Sequence, residues 1–149
     1  MGDEASELSF IDSNVWLYAF VEAGDAAKRS TATALIQRVA AVVSTQVINE
    51  VCVNLLKKTA FSEADVRGLV DSYFMKYSVA VPNHATMTSA SLLRERNSFS
   101  YWDSLVVAAA IEADCRTLYS EDMQHGMLVN GNLRIVNPFT VQADDSEST

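Results

Sequence analysis

The sequence of 149 residues predicts an α/β fold: a mainly parallel central sheet of about five strands flanked by helices. Two observations predict it. Short apolar runs alternate with longer segments of helical period along the whole chain, the order that builds a parallel sheet with helical crossovers. No internal repeat, low-complexity stretch or linker divides the chain, and its length suits one ordinary domain.

The elements follow in order. "LSFIDS", 8–13, is an apolar run that turns polar at Asp12, a buried strand. "NVWLYAFVEAG", 14–24, has helical spacing and a stop at Gly24. A second helix, 25–39, takes Asp25 as its cap. "AAVVST", 40–45, is a second buried strand. "TQVINEVCVNLLKK", 45–58, is helical, with Lys57 and Lys58 in the last turn, where the helix dipole favours cations. The helix over 62–77 opens on Ser62-x-x-Asp65, a capping-box pattern. "SVAVP", 78–82, is a third strand, stopped by Pro82. Residues 83–97 form another helix, and 100–115 a buried one. "RTLYS", 116–120, is a fourth strand, and "RIVNPF", 134–139, a fifth.

Composition narrows the class. Hydrophobic residues at 49% with charged residues at 20% read as globular. The longest clean apolar run, 105–111, is far short of the roughly 20 residues of a membrane span. The opening "MGDEASE" does not read as a secretory signal. Cys52 and Cys115 fall inside apolar helical patterns, as small core residues of a reducing compartment. A cytoplasmic protein is expected. The net charge of −8 is concentrated at the ends. Asp3, Glu4 and Glu7 in 1–7, with Asp144, Asp145 and Glu147 in 141–149, make two acidic tails expected to be flexible; without those six charges the body carries −2. No broad basic footprint argues for a nucleic-acid partner, and none of this excludes one.

Of four candidate acids, three occur where such a fold collects ligands, at the carboxyl ends of its strands. Asp12 and Asp122 stand at or just beyond strand ends. Asp103 begins a helix that runs back across the sheet to feed the strand before Asp122, so it starts on the same edge. Glu50 shares a helix face with Gln46 and Asn54 at i, i+4, i+8 spacing. Each acid has a plainer reading. Asp12 fits a helix cap, although Ser13 and Asn14 fit one too. Glu50 fits a solvated stripe. Asp103 completes a capping box with Ser100. Asp122 fits a turn towards Gly126. The set of four and its order along the chain point to a site where no single acid does.

Converging carboxylates repel one another unless a cation lies between them. Oxygen donors select Mg²⁺ or Mn²⁺, and such an ion activates a water for attack on a phosphoester. His84 and His125 are too few for a histidine-built zinc site; His84 reads as a surface or cap residue, and His125 lies near Asp122. Asp12-Ser13-Asn14 lacks the Asp-x-Asp of haloacid-dehalogenase phosphatases. The paired acids and lysine of receiver domains are missing, as are G-x-G-x-x-G and Walker loops.

These residues resemble the PIN domain, and within it the toxin of a VapBC-type toxin–antitoxin pair. The resemblance spans 9–139 and is carried by "FIDSNVWLYAF", "STQVINEV", "SYWDSLVVAAA" and "TLYSEDMQHG", with "RIVNPF" as the closing strand. It implies a three-layer PIN fold over 8–140 and a Mg²⁺- or Mn²⁺-dependent endoribonuclease. Asp12, Glu50, Asp103 and Asp122 would form the catalytic, metal-binding cluster, held by hydrogen bonds from Asn14 and Ser120. Ser120 stands where many relatives carry Thr, which keeps the hydroxyl. The resemblance also implies a homodimer and a VapB-like antitoxin that blocks the groove beside the acids. Lys57, Lys58, Arg94 and Arg96 are candidate RNA contacts, although pairs of this kind also serve simply as solvated helix ends. Two other functions remain open at this point: a catalytically weak PIN-type module that binds RNA or protein, and a metal phosphohydrolase of small phosphoesters.

Overall fold

The computed structural model describes residues 7–21 and 23–140. The expected acidic tails lie, apart from Glu7, outside the described residues.

Among the described residues, six strands and six helices of eight or more residues follow one another, one strand more than the sequence leads one to expect. They run β1 (Leu8–Ile11), α1 (Ser13–Phe20), α2 (Ala26–Arg38), β2 (Ala40–Ser44), α3 (Thr45–Lys58), α4 (Glu63–Lys76), β3 (Ser78–Ala80), α5 (His84–Arg96), α6 (Tyr101–Glu112), β4 (Thr117–Tyr119), β5 (Leu128–Val129) and β6 (Leu133–Val136). The sheet order is β3-β2-β1-β4-β6-β5. All pairings are parallel except β5 with β6.

The central strands carry unbroken apolar runs because helices cover both faces of a parallel sheet. Phe10 pairs in register with Val42 on one side and Leu118 on the other, and all three are fully buried. Helix α6 is apolar all round, and Ser104 to Ala110 are all buried; such a helix belongs inside the core. It packs on α5 and on β2, while α1 packs on α2 and α3. Trp16 of α1 sets its ring edge-on to Tyr73 and Tyr77 at 5.0 and 5.1 Å and donates its indole N–H to the Ile11 carbonyl at 3.0 Å. That ties α1 to β1 and to the end of α4.

Three expectations need correction. The first helix ends at Phe20, four residues before Gly24, with the Val21 N–H closing on the Leu17 carbonyl. The strand expected over 134–139 spans Leu133–Val136, and 138–140 turn helical, since Pro138 has no N–H for a ladder. A sixth strand, β5, makes a hairpin with β6. Its turn centres on Asn130 and Gly131, both at positive φ (51° and 77°). Asn-Gly is the pair that such a turn favours, so the signal was present in the sequence.

Strand order fixes where a site can form. From β1 the chain builds outward through β2 and β3, then returns to place β4 on the other side of β1. Connections leave the carboxyl ends of β1 and β4 in opposite directions, which opens a crevice between them.

Candidate active site

Asp12 follows β1 directly and is the N-cap of α1. Its carboxylate accepts the Ser13 N–H at 2.8 Å and the Ser120 hydroxyl at 2.8 Å. The capping reading of Asp12 is thus realised, and Ser13 and Asn14 are released from it. Asn14 turns to the loop after β4. Its amide donates to Asp122 at 3.1 Å and to Ser120 at 3.4 Å, and its carbonyl oxygen accepts the Glu121 N–H at 3.2 Å. The Ser120 oxygen also accepts the Asp122 N–H at 3.3 Å. One continuous network therefore joins Asp12, Asn14, Ser120 and Asp122 across the crevice between β1 and β4.

Asp103 stands in the first turn of α6. Ser100 Oγ accepts its backbone N–H at 3.1 Å, but only that half of the capping box forms among the described residues. In α4 both halves form: Ser62 Oγ accepts the Asp65 N–H, and the Asp65 carboxylate accepts the Ser62 N–H. The Asp103 carboxylate therefore does not close back on the Ser100 N–H, and it stays beside the Ser100 hydroxyl.

Glu50, in the second turn of α3, accepts the Gln46 amide at 3.3 Å, and the same amide reaches the Trp102 carbonyl at 3.3 Å. This bridges α3 to the start of α6. Glu50 and Gln46 face a groove of about 650 Å³ whose other walls include Val53, Met87, Trp102 and Leu105. The Gln46–Glu50 stripe is a cleft wall rather than a purely solvated face.

Electrostatics couples the acids. Burial pushes the Asp12 carboxyl up to about 6; the hydrogen bonds from Ser120 and Ser13 hold it down in part, and Glu50 and Asp103 raise it further. Asp103 is also raised, first by burial and then by Asp122, with Ser100 opposing. Yet among the described residues no three His, Cys, Asp or Glu side chains are grouped closely enough to hold one ion. The set suits a hard cation in kind, with all-oxygen donors and a buried carboxylate destabilised by its acidic neighbours. It does not hold the acids at ligand spacing as they stand.

Support also comes from residues the sequence reading passed over. Glu121 points away from the acids to an ion pair with Lys28, and Tyr18 donates to it at 2.8 Å. Lys28 also lies over the rings of Tyr18 and Phe139, at 4.9 and 5.4 Å. This clamp fixes the loop that carries Asp122. Lys28 and Glu121 are 93 positions apart, so no local pattern joins them.

The basic candidates scatter. Lys57 and Lys58 are exposed in the last turn of α3. Lys58 lies about 12 Å along the axis from Glu50, by helical rise. Arg96 is exposed beside a separate small cavity. Arg94 donates to Ser104 Oγ at 2.7 Å and lies 4.2 Å over the Tyr101 ring, where it buttresses the start of α6. His84 is exposed at the first position of α5, and His125 accepts the Asn137 N–H on Nδ1 at 2.9 Å.

The PIN domain family model matches residues 9–125, and the chain belongs to that family. No curated protein matches it significantly in sequence. Among the solved structures that share the fold at low identity are these three. One is a toxin–antitoxin complex from Klebsiella pneumoniae, with a TM-score of 0.66, 14% identity, and 87% of this chain and 97% of that chain covered. A second is VapC20 of Mycobacterium tuberculosis, a toxin that cleaves the sarcin–ricin loop, at 0.59 and 20%, covering 74% and 86%. The third is VapBC2 of Rickettsia felis bound to a promoter DNA fragment, at 0.61 and 15%, covering 87% and 99%.

Proposed function

We propose that residues 8–140 form a PIN-domain endoribonuclease dependent on Mg²⁺ or Mn²⁺, the toxin of a toxin–antitoxin pair. The observation that carries this reading is the hydrogen-bonded chain Asp12–Ser120–Asn14–Asp122 at the strand crossover, with Asp103 and Glu50 acting electrostatically on its acids. Family membership supports the nuclease class, and the shared fold with toxin chains supports the toxin role. The same likeness supports a small antitoxin as partner and the groove beside Glu50 and Trp102 as its seat. A cytoplasmic homodimer completes the reading; among the described residues no helix is long and apolar enough to cross a membrane.

Asp12, Glu50, Asp103 and Asp122 would hold the ion. A bound Mg²⁺ or Mn²⁺ supplies a water of lowered pKa and a positive charge for the phosphate oxygens. Ser120 and Asn14 fix the orientation of two of the acids, and Lys28 withdraws Glu121 from the cluster. Gln46 holds Glu50 against the start of α6.

A second reading is favoured by one specific observation. With no three candidate ligands grouped for an ion among the described residues, the chain fits a PIN module that binds RNA or protein with little turnover.

Cleavage of a mixed RNA by the purified protein separates the two. Metal-dependent cleavage that EDTA stops, and that Asp12→Asn and Asp103→Asn each reduce by about a hundredfold or more, is the expected result. Binding of RNA without cleavage supports the second reading. Cleavage at the parent rate by either variant removes that residue from the site.

A further inference from the structure

A second cavity, of about 200 Å³, opens beside the acids, with Asp103 and Asp122 in its wall. The rest of the lining differs in chemistry. Phe99, Met123 and Met127 offer an aromatic ring and two thioethers, and Asn97 and Gln124 offer amides. Two carboxylates and no cation make this a poor seat for a phosphate. A neutral, flat heterocycle suits it: an apolar face to stack on and polar groups that match the heterocycle's edge. Pockets for drug-sized ligands run from about 300 to 1,000 Å³, so this one holds a single ring system and not a whole nucleotide.

The wall is built, not merely open. Phe99 packs against the hydrophobic core. The loop carrying Gln124 is tied down at three points just beyond it. The Asn137 N–H donates to His125 Nδ1 at 2.9 Å, the Gly126 N–H to the Ile135 carbonyl at 2.7 Å, and Arg134 to the Gly126 carbonyl at 2.8 Å. Gly126 takes φ of 87° there, a value that glycine adopts without strain. Asn97 donates its amide to the Leu93 carbonyl at 3.0 Å, which leaves its side-chain oxygen as an acceptor. The Gln124 side chain makes no hydrogen bond to any described residue, so both its donor and its acceptor are available.

We propose that this cavity receives one unstacked RNA base beside the scissile phosphate, which an ion held by Asp103 and Asp122 would engage, with Phe99 as its stacking face and Gln124 reading its edge. The inference rests on the ribonuclease reading above and deepens it. A base in this cavity has left its helix, so the substrate is a single strand or a loop, not a duplex. An amide that meets a base edge with donor and acceptor together discriminates among bases by about tenfold or more.

The test is sequencing of the cut ends from a randomised single-stranded RNA pool cleaved with Mn²⁺, with Asp103→Asn as control. The parent protein should prefer one base at one fixed position beside the cut. Gln124→Ala should flatten that preference by about tenfold, whatever its total rate. Phe99→Leu keeps an apolar side chain in the core but removes the stacking face; it should weaken cleavage beside every base and keep their order. Cleavage that Asp103→Asn abolishes, with the same preference in Gln124→Ala as in the parent or with none in either, overturns the base site and leaves the nuclease standing. Duplex RNA cut as readily as single strands overturns it too. No metal-dependent cleavage by the parent protein removes both readings.

Discussion

Asp12 shows how one side chain can hold local structure together at some cost to stability. It caps α1, anchors the Ser120 hydroxyl and is only 5% exposed. In the metal-free protein its carboxyl lies at about 6, against 3.8 unperturbed. The folded state therefore holds this proton more tightly than the unfolded state does. Its contribution to stability is complete below 3.8 and is lost as the pH rises through about 6. Asparagine caps a helix as well as aspartate and carries no charge. In EDTA near neutral pH, Asp12→Asn should thus be more stable than the parent by about 3 kcal/mol. The gain should fade as the pH falls towards 3.8. Urea denaturation at two pH values measures both. Equal midpoints throughout would mean that the carboxylate is better solvated than its burial implies.

Among the elements, helix starts were the most legible. All six helices have a side-chain N-cap: Asp12, Asp25, Ser44, Ser62, Asn83 and Ser100. Four of those positions could be read from short polar residues before an apolar period, because capping is a local interaction. Ends were less legible. Gly24 offered a stop, but α1 had already closed at Val21. The β5–β6 hairpin went unread because β5 is two residues long and shows no alternation, although Asn130-Gly131 marks its turn. Caps remote from the acids should govern stability alone. Ser62→Ala removes one half of the α4 capping box and should cost about 1 kcal/mol in thermal unfolding, with RNA cleavage unchanged. A loss of cleavage in that variant would show that α4 is coupled to the site.

At the scale of the molecule, alternation of strands and helices was enough to predict a parallel sheet, because strands covered on both faces read as unbroken apolar runs. It also led one to expect Asp12, Asp103 and Asp122 on one sheet edge. What it could not supply was pairing across distance. The Lys28 clamp on Glu121, the Gln46 bridge to Trp102 and the cavity between Phe99 and Gln124 all join segments far apart in the chain. Nor could it show that Asp103 leaves its capping box half made. The fold thus links Asp12 to Asp122 through Ser120 and Asn14 and leaves Glu50 and Asp103 to act on Asp12 through their charge alone. A divalent cation seated among these acids would complete the site. Anomalous scattering from crystals of the protein grown with Mn²⁺ should then show a peak among Asp12, Asp103 and Asp122 on the carboxyl edge of β1 and β4, absent in Asp12→Asn. No peak there at saturating Mn²⁺, or one only at sites away from these acids, would contradict such a seat.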